Sequence, residues 1–188
     1  MKINEKLFSD PFRRPAHSMK NKIMRVIWSC VYFFLFRPSP RLLFNYRSML
    51  LRLFGATIGH RCAIYPKAII WAPWNLCCED AVAIADYAEI YNPALVTLRS
   101  HAIVSQGAYI CTASHKINSS DFELFSKPVI IGRYAWVSAR ASVLPGVVCE
   151  DGSVLGLGAV TSKNLMAWTV YVGNPCRKVS DRKKTNFL

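Results

Sequence analysis

From Ile58 onward the chain carries an aliphatic residue at every sixth position. The series runs Ile58, Ile64, Ile70, Leu76, resumes after a two-residue shift at Cys78, Ile84 and Ile90, and returns at Leu98, Val104 and Ile110. An unbroken run then follows at Ile131, Val137, Val143, Cys149 and Leu155. Small residues often sit four places later, at Ala68, Ala88, Ala102, Ala108, Ala135, Ala141, Ser153 and Ala159. An amphipathic helix needs a period of about 3.6, which this segment lacks. A period of six fits a coil in which each hexad is one short strand plus a turn, and three hexads close a triangle. The aliphatic residue points inward and stacks on its equivalents above and below, and the small residue fits the tight corner. One coil cannot bury its own apolar face, so several must stack. The pattern predicts a mainly β protein, a parallel β-helix of hexapeptide repeats over residues 56–176.

The register fails once, between Ile110 and Ile131, where H-K-I-N-S-S-D-F-E-L-F-S-K-P is polar and lacks the spacing. It predicts an external loop over about 116–128, thrown out from a coil corner. Long loops in compact repeat folds are usually functional. Before the repeat, residues 19–36 and 41–54 read as helices that mix apolar and basic side chains. Arg37-Pro38-Ser39-Pro40 separates them, because proline disfavours helix at the residue before it. Residues 1–55 thus form a basic N-terminal helical cap. Two compatible roles fit it. It can seal the open end of the β-helix, or lie on a membrane surface with Trp28, Tyr32, Phe33, Phe34 and Phe36 beside Lys20, Lys22, Arg25 and Arg37.

Charge sharpens this division. The formal net charge is +13 over 188 residues, but residues 1–55 carry +9, residues 56–176 carry zero and residues 177–188 carry +4. The ends therefore suit anionic partners such as CoA phosphates, lipid headgroups or an acidic acceptor. No nucleic-acid recognition module is readable, so nucleic acid is not expected as a partner. Residues 177–188 read as a solvated basic tail. The seven cysteines are odd in number and include no C-x-x-C pair, so they read as reduced core thiols. No apolar run reaches 18 residues and the polar start is broken by Pro11, which predicts neither a spanning helix nor a secretory signal. The expected location is cytoplasmic, with the inner face of the cell membrane as the alternative seat.

The motifs then narrow the class. Ile131–Val137 (I-G-x-x-A-W-V), V-L-P-G-V at 143–147 and G-N-P-C-R at 173–177 resemble the hexapeptide-repeat acetyltransferases. The set S-Q-G-A-Y-I-C-T-A-S-H at 105–115, with R-P-S-P, L-R-L-F-G-A-x-I-G and P-W-N-L, resembles the colanic acid or exopolysaccharide O-acetyltransferase branch. The resemblance spans about residues 12–180. It implies a left-handed β-helix, a homotrimer with sites between subunits, acetyl-CoA as acyl donor and a carbohydrate or glycolipid acceptor.

His115 matches the family's histidine at the external loop, which implies a general base. A sugar hydroxyl is a poor nucleophile, and imidazole can take its proton near neutral pH. Asn92 matches a position that faces the site and binds the acceptor or steadies the histidine. Trp136, Ser138 and Ala139 lie where the family holds the thioester arm, and the Ala139 N–H is a candidate oxyanion donor. Gly156, Leu157, Gly158, Ser162 and Lys163 match the strip along pantetheine and adenine, with Lys163 and Arg177 as phosphate contacts. His17, His60 and His101 read as irregular-start, turn and corner residues. They lack the paired H-x-x-x-x-H spacing of zinc carbonic anhydrases built on this repeat, so no metal is expected.

Two departures stand out. The branch usually reads S-H-D, and here Lys116 follows His115. An acid's orienting role is then lost, reversed, or moved to Asp121 or Glu123. The usual V-T-K-D is V-T-S-K-N at 160–164, which weakens the donor assignments. A different acceptor, amine or small molecule, and a catalytically silent scaffold are the alternative readings.

Overall fold

A computed structural model describes residues 18–184. His17 and the ends of the predicted cap and tail lie outside the described residues. The repeat forms a left-handed parallel β-helix whose strands stack in three faces. The first face stacks Thr57–Ile58, Leu76–Cys78, Val96–Leu98, Val129–Ile131 and Val148–Cys149. The second holds Ala63–Ile64, Ala83–Ile84, Ile103–Val104, Trp136–Val137, Val154–Leu155 and Thr169–Val172. The third holds Ile69–Ile70, Glu89–Tyr91, Tyr109–Cys111, Ser142–Val143 and Val160–Thr161.

The six-residue series maps onto this triangle one residue per face. Ile58, Cys78, Leu98, Ile131 and Cys149 align on the first face, and Ile64, Ile84, Val104, Val137 and Leu155 on the second. Ile70 pairs with Ile90 and that with Ile110 on the third, while Val143 pairs with Ile110 and with Thr161. All of these are buried. Each truncation of such an aliphatic residue to alanine would cost ~2–5 kcal/mol, because the stacked neighbours cannot collapse around the gap. Thr161 extends the column as a polar member, and its hydroxyl is satisfied by the Lys163 carbonyl at 2.6 Å.

Corners are held by carboxylates from the coil above. Asp80 accepts from the His60 N–H at 2.6 Å, Asp86 from Lys67 N–H at 3.0 Å and Asp151 from Arg133 N–H at 2.7 Å. The coils meet so closely there that a Cβ on Gly132 would lie 2.6 Å from the Asp151 nitrogen. The two-residue shift in the repeat is a bulge between the third and first faces, where Pro73–Asn75 makes a 3-10 turn.

Helix α1 (Met19–Val31) and helix α2 (Phe44–Leu53) precede the rod. Ser18 caps α1, its hydroxyl accepting from the Asn21 N–H at 3.2 Å. A π-helical turn, Tyr32–Phe36, continues it. Residues four apart overshoot a turn in an α-helix and undershoot it in a π-helix, so Trp28, Tyr32 and Phe36 stay on one side. Trp28 packs its ring tilted or edge-on against Tyr32, Phe36 and Phe54, and its indole N–H donates to the Ile70 carbonyl at 2.7 Å. Arg47 of α2 is fully buried. Its guanidinium donates to the carbonyls of Ile64, Pro40 and Arg41 and to the Ser39 hydroxyl, at 2.6 to 2.9 Å.

The C-terminal residues correct one expectation. Arg177–Asp181 is not a free tail but a strand, paired antiparallel with Thr169–Val172. It covers the exposed edge left by the last strand of the second face, and its own side chains stay exposed. Arg182 then reaches back, donating to the Tyr134 carbonyl at 2.7 Å and the Gly152 carbonyl at 3.1 Å.

Candidate active site

The register break also has more order than a loop. Ala113–His115 and Leu124–Ser126 pair antiparallel, with His115 opposite Leu124, so the excursion is a β-hairpin. Its strands are only three residues long, too short for a readable period. Just beyond the paired strands, the Lys116 ammonium meets the Glu123 carboxylate at 2.6 Å, and the Lys116 N–H donates to the Glu123 carbonyl at 2.9 Å. At the tip, Ser119 donates its hydroxyl to Asp121.

His115 is exposed on this hairpin. Its ring stacks on Phe122 with centroids 4.4 Å apart, and Nδ1 lies 2.8 Å from the Phe122 carbonyl oxygen. A carbonyl only accepts, so this contact places the proton on Nδ1 and leaves the Nε2 lone pair outward. The ring thus has an orienting partner that sequence reasoning missed, having looked for an acid. Glu123 is instead the partner of Lys116. Every residue has a carbonyl, so composition could not single out Phe122. Phe122 also has an unusual backbone, with φ +44°, which no residue type there announces.

The remaining candidates divide between two corners. Ser162 and Lys163 follow the third face, on the corner that carries His115 but two coils further on. Ser138 and Ala139, and likewise Gly156, Leu157 and Gly158, lie on the other edge of the third face, in turns that leave the second. Trp136 stands on the second face with its indole N–H donating to the Ser105 hydroxyl at 2.8 Å. It lines a groove of about 320 Å³ with Ala83, His101, Ile103, Tyr134 and Arg182. The Gly158 N–H donates to the Ala139 carbonyl at 3.0 Å. Leu157 and Gly158 are exposed, as are Ser162, Lys163 and Arg177. One protomer therefore does not bring His115 beside Ala139 and Gly156–Gly158.

Asn92 departs from its expected place. It is fully buried, with its side-chain oxygen accepting from Ala72 N–H at 2.9 Å and its amide donating to the Ala72 and Asn75 carbonyls at 2.8 and 2.9 Å. Both amide hydrogens are thus committed to backbone carbonyls around the Pro73–Asn75 bulge, and neither is left for a substrate hydroxyl. The bulge removes the regular ladder bonds, and a side-chain amide with both functions replaces them.

His60 and His101 are corner residues. His101 has φ +63° and stacks on Tyr134 at 4.7 Å. Cys78 and Cys149 are core members, and burial pushes the Cys149 thiol up to about 12. Cys111 is buried with its thiol 3.0 Å from the Ala113 carbonyl. All seven cysteines are free.

A stacked hexapeptide rod with an exposed histidine on a hairpin fits the class of β-helical acyl-transfer enzymes. The chain is 36% identical over 165 residues to an Escherichia coli K12 protein named "Putative colanic acid biosynthesis acetyltransferase WcaF", covering 88% of this chain and 91% of that one. It superposes on a maltose O-acetyltransferase of Clostridium difficile with a TM-score of 0.81 at 21% identity, over 90% of this chain and 91% of that one. It also superposes on the hexapeptide-repeat acetyltransferase VCA0836 of Vibrio cholerae in complex with acetyl-CoA, with a TM-score of 0.80 at 20% identity, over 90% of this chain and 93% of that one. No family model matches. The chain belongs to the hexapeptide-repeat acetyltransferases and is an enzyme of that class.

Proposed function

We propose that this enzyme transfers acetyl from acetyl-CoA to a hydroxyl of a carbohydrate or glycolipid during surface polysaccharide assembly. His115 is the general base. Its Nε2 takes the hydroxyl proton as the oxygen attacks the thioester carbonyl carbon. The tetrahedral oxyanion collapses, the C–S bond breaks, and the leaving sulfur takes the proton from the imidazolium. An acetyl ester and free CoA result, by a route that calls for no metal.

The observation that carries this reading is the Nδ1 contact with the Phe122 carbonyl, which supports the tautomer with Nε2 free on an exposed hairpin. The Ala139 N–H makes no hydrogen bond among the described residues and is the oxyanion donor of this scheme. Trp136 and Ser138 flank the acetyl arm, and Gly156, Leu157, Gly158 and Ser162 the pantetheine, with Lys163 and Arg177 on the phosphates. The separation of these groups from His115 supports a homotrimer in which neighbouring protomers complete each site. The name of the E. coli relative supports the polysaccharide setting, and the V. cholerae complex supports the donor.

The test is CoA release from acetyl-CoA with a panel of oligosaccharides. His115→Ala should lose ~10²–10⁴-fold in turnover; an unchanged rate would refute the mechanism. Coexpressing His115→Ala with Ala139→Glu tests the shared site. Each variant alone should be inactive, and random mixed trimers should recover roughly a quarter of wild-type activity. No recovery would place the site within one protomer.

A further inference from the structure

Helix α1 has two apolar faces. The inner one, with Trp28, closes the rod. The outer one repeats at helical spacing through Met19, Ile23, Val26, Ile27 and Cys30, and the π-helical turn extends it with Phe33 and Phe34. It is solvent-facing: Ile23 is 55% exposed, Val26 65%, Phe33 59% and Phe34 69%. A helix that only sealed the rod would be polar on this side. Apolar side chains gathered into one exposed stripe mark a docking face.

Charge selects the occupant. Lys20 and Lys22 are exposed and fall on either side of the stripe at 100° per residue. Residues 18–55 contain seven Lys and Arg and no Asp or Glu. A contact with the same face of a second copy would offer these lysines no carboxylate from residues 18–55. An anionic lipid surface satisfies both parts, taking the stripe into its acyl boundary and the ammonium groups among its headgroups. No helix among the described residues is long and apolar enough to cross a bilayer. We infer that the outer face of α1 and its π-helical extension is a membrane-docking surface, which lays the helix flat on an anionic bilayer. This goes beyond the proposed chemistry and does not depend on it.

The experiment is co-sedimentation of the full chain with phosphatidylcholine vesicles, with and without phosphatidylglycerol, over a range of salt. The wild type should pellet with the anionic vesicles and be released by salt. Lys20→Ala with Lys22→Ala should lower partitioning roughly thirtyfold, at the usual surface strength of each lysine. Val26→Glu with Phe34→Glu should abolish it, by on the order of a hundredfold or more. These positions are exposed, so thermal melts and activity on a soluble acceptor should stay at wild-type level. Absence of wild-type binding to anionic vesicles would overturn the inference. So would unchanged binding by Val26→Glu/Phe34→Glu, or a loss of oligomeric mass in that variant, which would make the face a subunit contact.

Discussion

Arg47 is a buried cation held by neutral partners, and its replacement tests how the cap is fixed to the rod. No carboxylate lies within ion-pair distance of it among the described residues. Its fork reaches the Ile64 carbonyl in the first coil and the Pro40 and Arg41 carbonyls in the interhelical turn, with the Phe44 ring 5.1 Å from its guanidinium carbon. Hydrogen bonds from a charged donor are worth ~1.5–3 kcal/mol each, and stripping water from the ion costs several kcal/mol in return. Arg47→Met fills much of the volume and removes the charge, but leaves the Ile64 carbonyl buried without a donor. The turn carbonyls are only partly buried and recover water. One orphaned acceptor plus a loosened turn gives an expected net loss of ~3 kcal/mol. Arg47→Lys should recover less than half, since one ammonium cannot span carbonyls on two elements. Urea unfolding at fixed protein concentration measures both, with amide hydrogen exchange over residues 44–53 to localise the effect. If Arg47→Met unfolds within ~0.5 kcal/mol of wild type, the desolvation cost cancels the hydrogen bonds and the argument fails.

Gly152→Ala would place a Cβ 2.5 Å from the Trp168 ring at a φ of +70°, whereas Gly158→Ala meets open space at φ +64°. The first should lose clearly more stability than the ~1 kcal/mol of left-handed strain alone; equal losses in urea unfolding would show that Trp168 simply moves aside. Thiol labelling of the native protein at neutral pH should modify exposed Cys30 first and leave Cys149 untouched, because its thiol, pushed up to about 12, stays protonated and buried. Native labelling of Cys149 at the rate of Cys30 would mean that the core column opens.

The rod was legible because its signal is long and redundant. The run from Ile131 to Leu155 imposes one side chain per face, and burial makes each position costly to change. The hairpin and the strand Arg177–Asp181 were not legible for the opposite reason. Three residues of A-S-H against L-F-S carry no period, and R-K-V-S-D owes its order to the edge it covers rather than to its own side chains. At the site, His115 stood out because the register fails beside it. Phe122 acts through its backbone, which no residue type announces. Asn92 was recognised as special, but its direction depends on the bulge at Pro73–Asn75, which the spacing alone does not orient.

The hairpin leaves the rod and rejoins it with Ile131 directly paired to Leu98, so the coils on either side meet as if nothing intervened. Closing a longer excursion costs little, about 0.6 kcal/mol for each doubling of length. Insertions and deletions at this corner are therefore nearly invisible to the shaft. On the proposed scheme the shaft keeps a fixed donor track while its heads are exchanged, so divergence in what is acetylated need not wait for compensating change in the core.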